Sequence, residues 1–314
     1  MKLLLLSDGH LLWDKPQGRI DDVRETQFDK WRFILQTAAL ENAIILQAGD
    51  FFNRPRSWYL LPEVMYLLKE YKVPIYCVFG QHDTYMYSEK TRRATSLGIL
   101  EAADMVNILS DKPFYTAEQL SAAIYGCSYG QEIPKIEPPF REFFTVLVIH
   151  APIAEHAEWP GQNYMDAETF ATSHPEYDLI LCGDIHRRFC IKWDRGAKWI
   201  VNTGPLIRKE STVYNFTHKP GFYIFDTTKN EDPKWVEIPH RPAEEVLSRA
   251  HLDYEKEGDA VLKDFISSIN NPDIKEEADF IEILWSLVRA NNIKQSVIDS
   301  LSEVTGNGPT TTKN

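Results

Sequence analysis

Short apolar runs alternate with amphipathic stretches along the first 80 residues. Buried-strand patterns cover residues 3–6, 43–46 and 73–79, and apolar positions at helical spacing cover residues 22–39 and 61–69. Such an alternation of strands and helices is typical of a parallel sheet joined by crossover helices. The pattern therefore predicts an α/β fold.

From residue 96 onward the predicted elements become shorter and more strand-like. Candidate strands lie at residues 106–109, 122–125, 144–149, 179–182, 199–201 and 222–225. We predict that a further run, residues 235–238, closes this second sheet and that the prolines after it mark a domain boundary. The predicted domains are residues 1–240, an acidic helical region 241–304, and a disordered Gly/Thr-rich tail 305–314.

The net charge of −12, from 34 basic and 46 acidic residues, by itself argues against a nucleic-acid-binding protein. However, residues 244–282 contain 12 acidic and 4 basic residues, which is two thirds of that net charge. The acidity therefore marks a separate C-terminal segment and does not exclude DNA as a substrate.

Cysteine usage and hydropathy indicate the compartment. The four cysteines form no CxxC pair, so neither a disulfide framework nor a thiolate zinc site is expected. The N-terminal apolar run ends at Ser7, too early for a signal peptide, and no later run reaches the roughly 18 residues of a membrane span. We expect a cytoplasmic protein without membrane association.

Side chains able to bind a metal follow five of the predicted strands. They are Asp8 with His10, Asp50, Gln81 with His82 and Asp83, His150, and Asp184 with His186. Any one of these groups alone fits a turn or a helix cap. Together they favour a metal site, because the carboxyl ends of strands in an α/β sheet converge on one crevice. Carboxylate and imidazole ligands suit Mn, Fe or Zn, and the lack of thiolates argues against structural zinc.

These motifs resemble those of the calcineurin-like metallophosphoesterases. The matching segments are Asp8-Gly9-His10, Gly49-Asp50, Gly80-Gln81-His82-Asp83, His150 and Gly183-Asp184-Ile185-His186. Further segments, among them Gly49-Asp50-Phe51-Phe52 and Val201-Asn202-Thr203-Gly204-Pro205, are similar to SbcD-type DNA-repair nucleases and their phage relatives. The resemblance covers about residues 1–240 and implies a four-layer αββα sandwich with a small, mainly helical C-terminal region.

The resemblance also implies a role for each motif residue. One divalent metal would be held by Asp8, His10 and His186, and Asp50 would bridge to a second metal held by Gln81, His150 and Asp184. A hydroxide activated by both metals would attack phosphorus. His82 would face the scissile phosphate and stabilise charge or protonate the leaving oxygen, with Asp83 orienting it and keeping it protonated. The alternative is that His82 is a loop residue and Asp83 a helix cap.

Two residues depart from the family pattern, and both fall on the second metal. Gln81 stands where the family has Asn, and Asp184 stands where it has His. An oxygen ligand with an added negative charge favours Mn²⁺, or else Mg²⁺, over Zn²⁺. The other interpretation is a weakened second site with low activity.

Basic residues near the strand ends are candidates for phosphate contacts. We select Arg54, Arg187, Arg188 and Asn202 as substrate-binding residues, with Lys15, Arg19, Arg208 and Lys209 among further rim candidates. A solvated charged face is the alternative for these residues. Trp13, Trp58, Tyr85 and Tyr87 could stack on a base, or pack in the core or rim.

We therefore expect a metal-dependent DNA nuclease, an exonuclease or single-strand endonuclease acting in repair, recombination or replication. The resemblance implies an SbcC-type coiled-coil ATPase partner, bound through helices after the phosphoesterase domain, and leaves a homodimer open. The apolar stripe at Ile293, Val297, Leu301 and Val304 fits either such a partner or a cap on the chain's own domain. The rival functions are a small-molecule or cyclic-nucleotide phosphodiesterase, a protein phosphatase and a non-catalytic accessory subunit.

Overall fold

Two β-sheets packed face to face form the centre of the N-terminal unit. The computed structural model describes residues 1–114, 122–136, 143–157, 159–194, 198–229 and 231–250, and, further on, 284–285, 288, 297–299 and 301–302. The chain divides into two compact units, Met1–Arg249 and Ala250–Asn314.

The strands and helices of the first unit follow in chain order. The strands are β1 (Lys2–Leu6), β2 (Ala43–Gln47), β3 (Ile75–Cys77), β4 (Asn107–Ile108), β5 (Ala122–Cys127), β6 (Phe144–Ala151), β7 (Ile153–Ala154), β8 (Met165–Asp166), β9 (Leu179–Asp184), β10 (Phe189–Trp193), β11 (Lys198–Asn202), β12 (Gly221–Asp226) and β13 (Lys234–Glu237). The helices are α1 (Val23–Glu41), α2 (Leu61–Tyr71), α3 (Ser96–Ala102), α4 (Ala167–Ser173), α5 (Val213–Thr217) and α6 (Ala243–Val246). Short 3₁₀ helices cover Gln81–Asp83, Tyr85–Tyr87 and Glu89–Ala94.

The first sheet has the strand order β13-β12-β1-β2-β3-β4, and its strands β1 to β4 run parallel. The second sheet has the order β10-β11-β9-β6-β5, with β5, β6, β9 and β11 parallel and β10 antiparallel at the edge. Because these strands are parallel, their carboxyl ends lie at one edge of each sheet.

The last two strands correct one sequence prediction. Residues 235–238 were expected to close the second sheet, but β13 pairs with β12, and β12 pairs antiparallel with β1 in the first sheet. The physical reason lies in β12, which is apolar on both faces: Phe222 joins the outer core, while Tyr223 and Phe225 join the core between the sheets. A strand buried on both faces fits between β1 and an edge strand.

Helix α1 shows how the sequence builds the outer layer. Asp22 caps its N-terminus, because the carboxylate accepts hydrogen bonds from the backbone N–H groups of Arg24 and Glu25. Its apolar stripe, which includes Phe28 and Trp31, packs against the outer face of the first sheet together with α2. Helix α4 covers the outer face of the second sheet in the same way. The layers are therefore α, β, β and α, as the resemblance implied.

Most of the predicted C-terminal region, including the tail 305–314, lies outside the described residues. Residues 284–285, 288, 297–299 and 301–302 are helical. The domain boundary at 240 and the partner-binding role of this region stay predictions. None of the helices in the described part of the chain is long and apolar enough to cross a bilayer.

His218, directly after α5, makes the stability of the first unit sensitive to acid. Its Nε2 donates to the Pro205 carbonyl at 2.9 Å and its Nδ1 accepts from the Tyr214 hydroxyl at 3.0 Å, so the neutral ring satisfies both bonds. Burial lowers the pKa of His218 to about 4. The unfolded chain therefore takes up this proton near pH 6.5 while the folded chain does not, and stability falls as the pH drops from about 6.5 towards 4.

We expect His218 to lower the free energy of unfolding by up to about 3 kcal/mol as the pH drops from about 6.5 towards 4. Urea unfolding of the metal-free protein at pH 7.5, 6 and 5 should show a shallower acid dependence for His218→Gln than for the wild type. His240→Gln, at a ring that bonds only the nearby Ile238 carbonyl among the hydrogen-bond partners described, is the matched control. An identical pH dependence for wild type and His218→Gln would contradict the assignment.

Candidate metal centre and adjoining cavity

Five strand ends deliver polar side chains to one place in the fold. The loops after β1, β2 and β3 carry the first three motif groups, and the ends of β6 and β9 carry His150 and the Asp184 segment. Asp8, His10, Asp50 and Asp184 all adopt positive φ, with values of 48°, 43°, 51° and 97°. Non-glycine residues rarely adopt this conformation, and such strain is concentrated at functional sites.

The first donor group consists of Asp8, His10 and His186. The Nε2 atoms of the two histidines lie 2.8 Å apart, and Nε2 of His186 lies 3.7 Å from Oδ1 of Asp8. The second oxygen of Asp8, Oδ2, is buried and has no hydrogen-bond partner among the described residues. Two imidazole nitrogens facing each other beside an unpartnered carboxylate oxygen form an arrangement that a cation would satisfy.

Asp50 lies between this group and the second one. Its Oδ2 is 3.6 Å from Nε2 of His10 and 3.6 Å from Nε2 of His150, and its Oδ1 accepts the backbone N–H of His82 at 2.8 Å. The carboxylate therefore faces both donor groups, which is the position required of a bridging ligand.

The second donor group contains both departures from the family pattern. His150 Nε2 lies 2.6 Å from Oε1 of Gln81 and 3.9 Å from Oδ1 of Asp184, and His150 Nδ1 contacts the Ala48 carbonyl at 2.7 Å. The amide nitrogen of Gln81 donates to Asp184 Oδ1. The two unusual residues thus contact each other, and the length of the Gln81 side chain lets it reach His150 and Asp184 at once.

Two glycines allow the loops to approach this closely. A Cβ on Gly49, whose φ is +80°, would lie 2.3 Å from Nδ1 of His150, and a Cβ on Gly80 would lie 2.1 Å from Oδ1 of Asp50. Any side chain at either position would displace a candidate ligand. Glycine is therefore required beside Asp50 and before Gln81.

The electrostatics of the two groups favour a cation. Burial raises the pKa of Asp8 to about 8 and raises the pKa of Asp50 well above its ordinary value. Burial also lowers the pKa of His186 to about 3 and that of His10 well below its usual range. The site thus disfavours both carboxylate anions and imidazolium cations, and a divalent metal would restore the anions while using the neutral rings as ligands.

The residues therefore fit a divalent metal pair. Groups of three able to hold an ion are Asp8 with His10 and His186, His10 with Asp50 and His82, and Asp8 with Asp50 and His150. This donor chemistry supports divalent metals, whereas the identity of the metal stays a prediction.

The predicted relation between His82 and Asp83 needs correction. Asp83 is buried, and its carboxylate accepts the backbone N–H groups of Phe51, Phe52 and Gly80 at 3.1, 2.9 and 3.0 Å. It therefore fixes the loop around Asp50. The ring of His82 is oriented instead by the backbone carbonyl of Asn53, 3.1 Å from Nδ1, and burial lowers its pKa. Sequence patterns give no signal for such a main-chain carbonyl.

Asn202 is also not a substrate-binding residue. Its side chain is fully buried, with Oδ1 accepting from Ser7 Oγ and Gly204 N, and Nδ2 donating to the Ile185 carbonyl at 2.8 Å. These bonds tie the loop after β1 to the loop that carries Asp184 and His186. The amide is fully engaged in bracing the site, so it has no access to a substrate.

Two of the predicted rim arginines are interior. Arg19 forms a buried ion pair with Asp21 at 2.6 Å, and Arg208 is buried and donates to the Arg241 carbonyl at 2.7 Å. Arg187 lies over the Tyr214 ring at 3.9 Å and Arg188 over the Trp235 ring at 4.4 Å. Their phosphate contacts stay predictions.

A cavity of about 720 Å³ opens beside His82. Its volume falls within the roughly 300–1,000 Å³ of small-ligand sites. The charged and aromatic residues that line it are Trp13, Asp14, Lys15, Arg54, Arg56, Tyr59, His82, Lys209 and Glu210. The rings of Trp13 and Tyr59 lie 5.1 Å apart, whereas Trp58 is exposed and is not among the described lining residues. Tyr59 had no sequence signal that separated it from other surface aromatics.

The amino-acid sequence is similar to known proteins over most of the first unit. The family model for calcineurin-like phosphoesterases matches residues 1–188. The DNA double-strand break repair protein Mre11 of Sulfolobus acidocaldarius is 23% identical over an alignment of 241 positions, which covers 72% of this chain and 60% of that protein. The chain thus spans less than two thirds of that relative's length.

Two solved structures also align with parts of the chain. A structure of TT1561 of Thermus thermophilus aligns with a TM-score of 0.47 and 11% identity, covering 76% of this chain and 99% of that one. A structure of Vps29 with Zn²⁺ from Entamoeba histolytica aligns with a TM-score of 0.36 and 12% identity, covering 72% of this chain and 86% of that one.

Proposed function

Because the chain belongs to the calcineurin-like phosphoesterase family, we propose that it is a metal-dependent DNA nuclease that hydrolyses phosphodiester bonds. One observation carries the proposal: two donor groups face one carboxylate, Asp50, beside a nucleotide-sized cavity with basic and aromatic walls. The similarity to a DNA double-strand break repair protein supports DNA as the substrate.

The first metal would be held by Asp8, His10 and His186, the second by Gln81, His150 and Asp184, with Asp50 shared between them. Oxygen-rich ligation of the second metal supports Mn²⁺, with Mg²⁺ as the alternative. When bound, the metals supply a water of lowered pKa and neutralise charge on the phosphate oxygens. His82 points from the cavity wall towards the same centre, where it would donate a proton to the leaving oxygen.

The cavity favours a strand of DNA as the substrate over a small phosphomonoester. Lys15, Arg54 and Arg56 could bind backbone phosphates, and Trp13 beside Tyr59 offers a surface for an unpaired base. We therefore expect single strands or frayed ends to be cleaved in preference to an intact duplex. The coiled-coil ATPase partner would bind through the C-terminal region, most of which lies outside the described residues. This partner and the homodimer stay proposals.

The proposal is tested with four substrates in Mn²⁺: single-stranded DNA, linear duplex, a bis-aryl phosphodiester and an aryl monoester. We expect turnover of single-stranded DNA and of the aryl diester, with the monoester slowest. Hydrolysis of the monoester alone would indicate a phosphatase, and the aryl diester without DNA would indicate a small-molecule diesterase. Loss of all turnover, also with an added ATPase partner, would refute the enzyme assignment.

Trp13→Ala should separate DNA binding from the chemistry of the metal centre. Loss of one stacked base costs about 1–3 kcal/mol, so kcat/KM for single-stranded DNA should fall about 5- to 150-fold, while the aryl diester should be turned over as before. Trp58→Ala is the matched control, since Trp58 is exposed and is not among the described lining residues, whereas its sequence neighbours Ser57 and Tyr59 are. Equal effects of the two substitutions would show that the cavity does not hold a base.

A further inference from the structure

Lys209 lies in the loop after β11 and lines the cavity together with His82. Its neighbour in sequence, Arg208, is turned into the protein interior and donates to the Arg241 carbonyl. Arg208 is therefore a structural residue of the interior, whereas the next residue, Lys209, faces the cavity. The half-buried position of Lys209 distinguishes it from the exposed Lys15 and Arg54 on the same wall.

Asn53 connects Lys209 with His82. The side-chain Oδ1 of Asn53 accepts a hydrogen bond from Nζ of Lys209 at 3.0 Å, and the backbone carbonyl of Asn53 contacts Nδ1 of His82 at 3.1 Å. A single residue thus sets the positions of two nitrogen groups that face one cavity. Asn53 is the one hydrogen-bond partner described for the Lys209 ammonium, which has three donors.

The charge of Lys209 interacts with residues of the metal centre. Burial, and after it the Lys209 ammonium, lowers the pKa of His82 and of His186. The carboxylates of Glu210, Asp50 and Asp8 in turn favour the charged form of Lys209. A lysine that only neutralised surface charge would have no such interaction with both donor groups. Burial lowers the pKa of Lys209 itself, so an incoming anion would stabilise the ammonium.

We propose that Lys209 binds a non-bridging oxygen of the substrate phosphate at the metal centre, through the ammonium donors that Asn53 leaves available. The inference rests on the proposed function, because it names a substrate contact of the same site. A compact ammonium held at one end by Asn53 is positioned before the substrate arrives, so little side-chain freedom is lost on binding. The ligand class is a phosphate ester, and the contact is with its charge rather than with the nucleoside.

The test compares Lys209→Gln, Lys209→Arg and Lys69→Gln with the wild type, each loaded with Mn²⁺. Lys69→Gln removes the same charge from an exposed position in the last turn of α2 and so controls for the change in net charge. Metal content and thermal unfolding are measured for each protein, and calorimetry gives the affinities for thymidine 5′-monophosphate and for thymidine. The kcat/KM for the bis-aryl phosphodiester is measured in parallel.

We expect Lys209→Gln to keep its metals and to bind the nucleoside monophosphate about 10- to 100-fold more weakly, as for the loss of a hydrogen bond to a charged group. Affinity for thymidine should be unchanged, Lys209→Arg should recover most of the loss, and Lys69→Gln should stay close to the wild type. Lower kcat/KM for the diester should accompany the weaker binding.

Three results would overturn the proposal: wild-type affinity in Lys209→Gln, an equal loss in Lys69→Gln, or a loss of affinity that follows loss of metal. Should Lys209→Gln unfold, Lys209→Met decides in its place, since methionine keeps the packing of the half-buried side chain without its charge. A wild type that binds the monophosphate but cleaves nothing would refute the nuclease function while leaving the Lys209 contact decided by binding. A metal-loaded wild type that binds no monophosphate would refute the contact itself.

Discussion

Replacing His82 with Gln is expected to lower kcat for DNA by about 10²- to 10⁴-fold while leaving the metal content unchanged. Nδ1 of His82 faces the Asn53 carbonyl, which can only accept a hydrogen bond, so Nδ1 carries the proton of the neutral ring. Nε2 is then unprotonated and can give a proton to a leaving oxygen only after the ring takes one up. An anionic phosphate in the cavity favours that protonation.

The leaving group provides the decisive comparison for His82. The aryl oxide that leaves the bis-aryl diester is a stable anion and needs little help from an acid. The alkoxide that leaves a DNA strand needs a proton. The loss caused by His82→Gln should therefore be much larger for DNA than for the bis-aryl diester. Equal losses would contradict proton donation and indicate charge stabilisation, and loss of metal would show that His82 is a ligand. His240→Gln, three residues after β13, serves as the control substitution.

The sequence was sufficient to predict that these candidate ligands meet in one place, because its signals are local. Each group of candidate ligands directly follows an apolar run, and the geometry of parallel strands brings such ends together. The same logic failed for β12 and β13. The pairing of β12 with β1 joins residues more than 200 positions apart and leaves no periodic signal, and β13 enters the first sheet by pairing with β12. The αββα layering was available only through the resemblance to a known family.

The errors within the site have a common physical cause. Asp83 and Asn202 are polar residues next to motif residues, and the sequence alone does not tell whether such a side chain faces the substrate or braces the loop. Both are buried and bonded to backbone groups, as buried polar side chains generally are. Arg19 and Arg208 were mistaken for rim residues for the same reason, because a buried arginine and a surface arginine have the same letter pattern around them.

The Asp50→Asn variant is expected to bind less than one metal per protein and to turn over substrate at least about 10³-fold more slowly than the wild type. Two cations a few ångströms apart repel each other unless an anion lies between them, and Asp50 is the carboxylate that faces both donor groups. Loss of the several kcal/mol that metal ions supply to the transition state corresponds to a factor of this size. Elemental analysis after dialysis in Mn²⁺ should give two metals for the wild type and fewer than one for the variant.

The outcome for Asp50 also decides how the two unusual ligands act. Asp178→Asn is the matched control, since that carboxylate caps the start of β6 through the Thr145 N–H at 2.8 Å, at the opposite end of the second sheet. If the wild type holds one metal and Asp50→Asn still holds one, the Gln81–Asp184 pair does not form a second site and Asp50 does not bridge. If the wild type holds two, the extra negative charge of Asp184 should make the second site prefer Mn²⁺ to Zn²⁺, and Asp184→His should shift that preference towards Zn²⁺ because imidazole replaces a carboxylate oxygen.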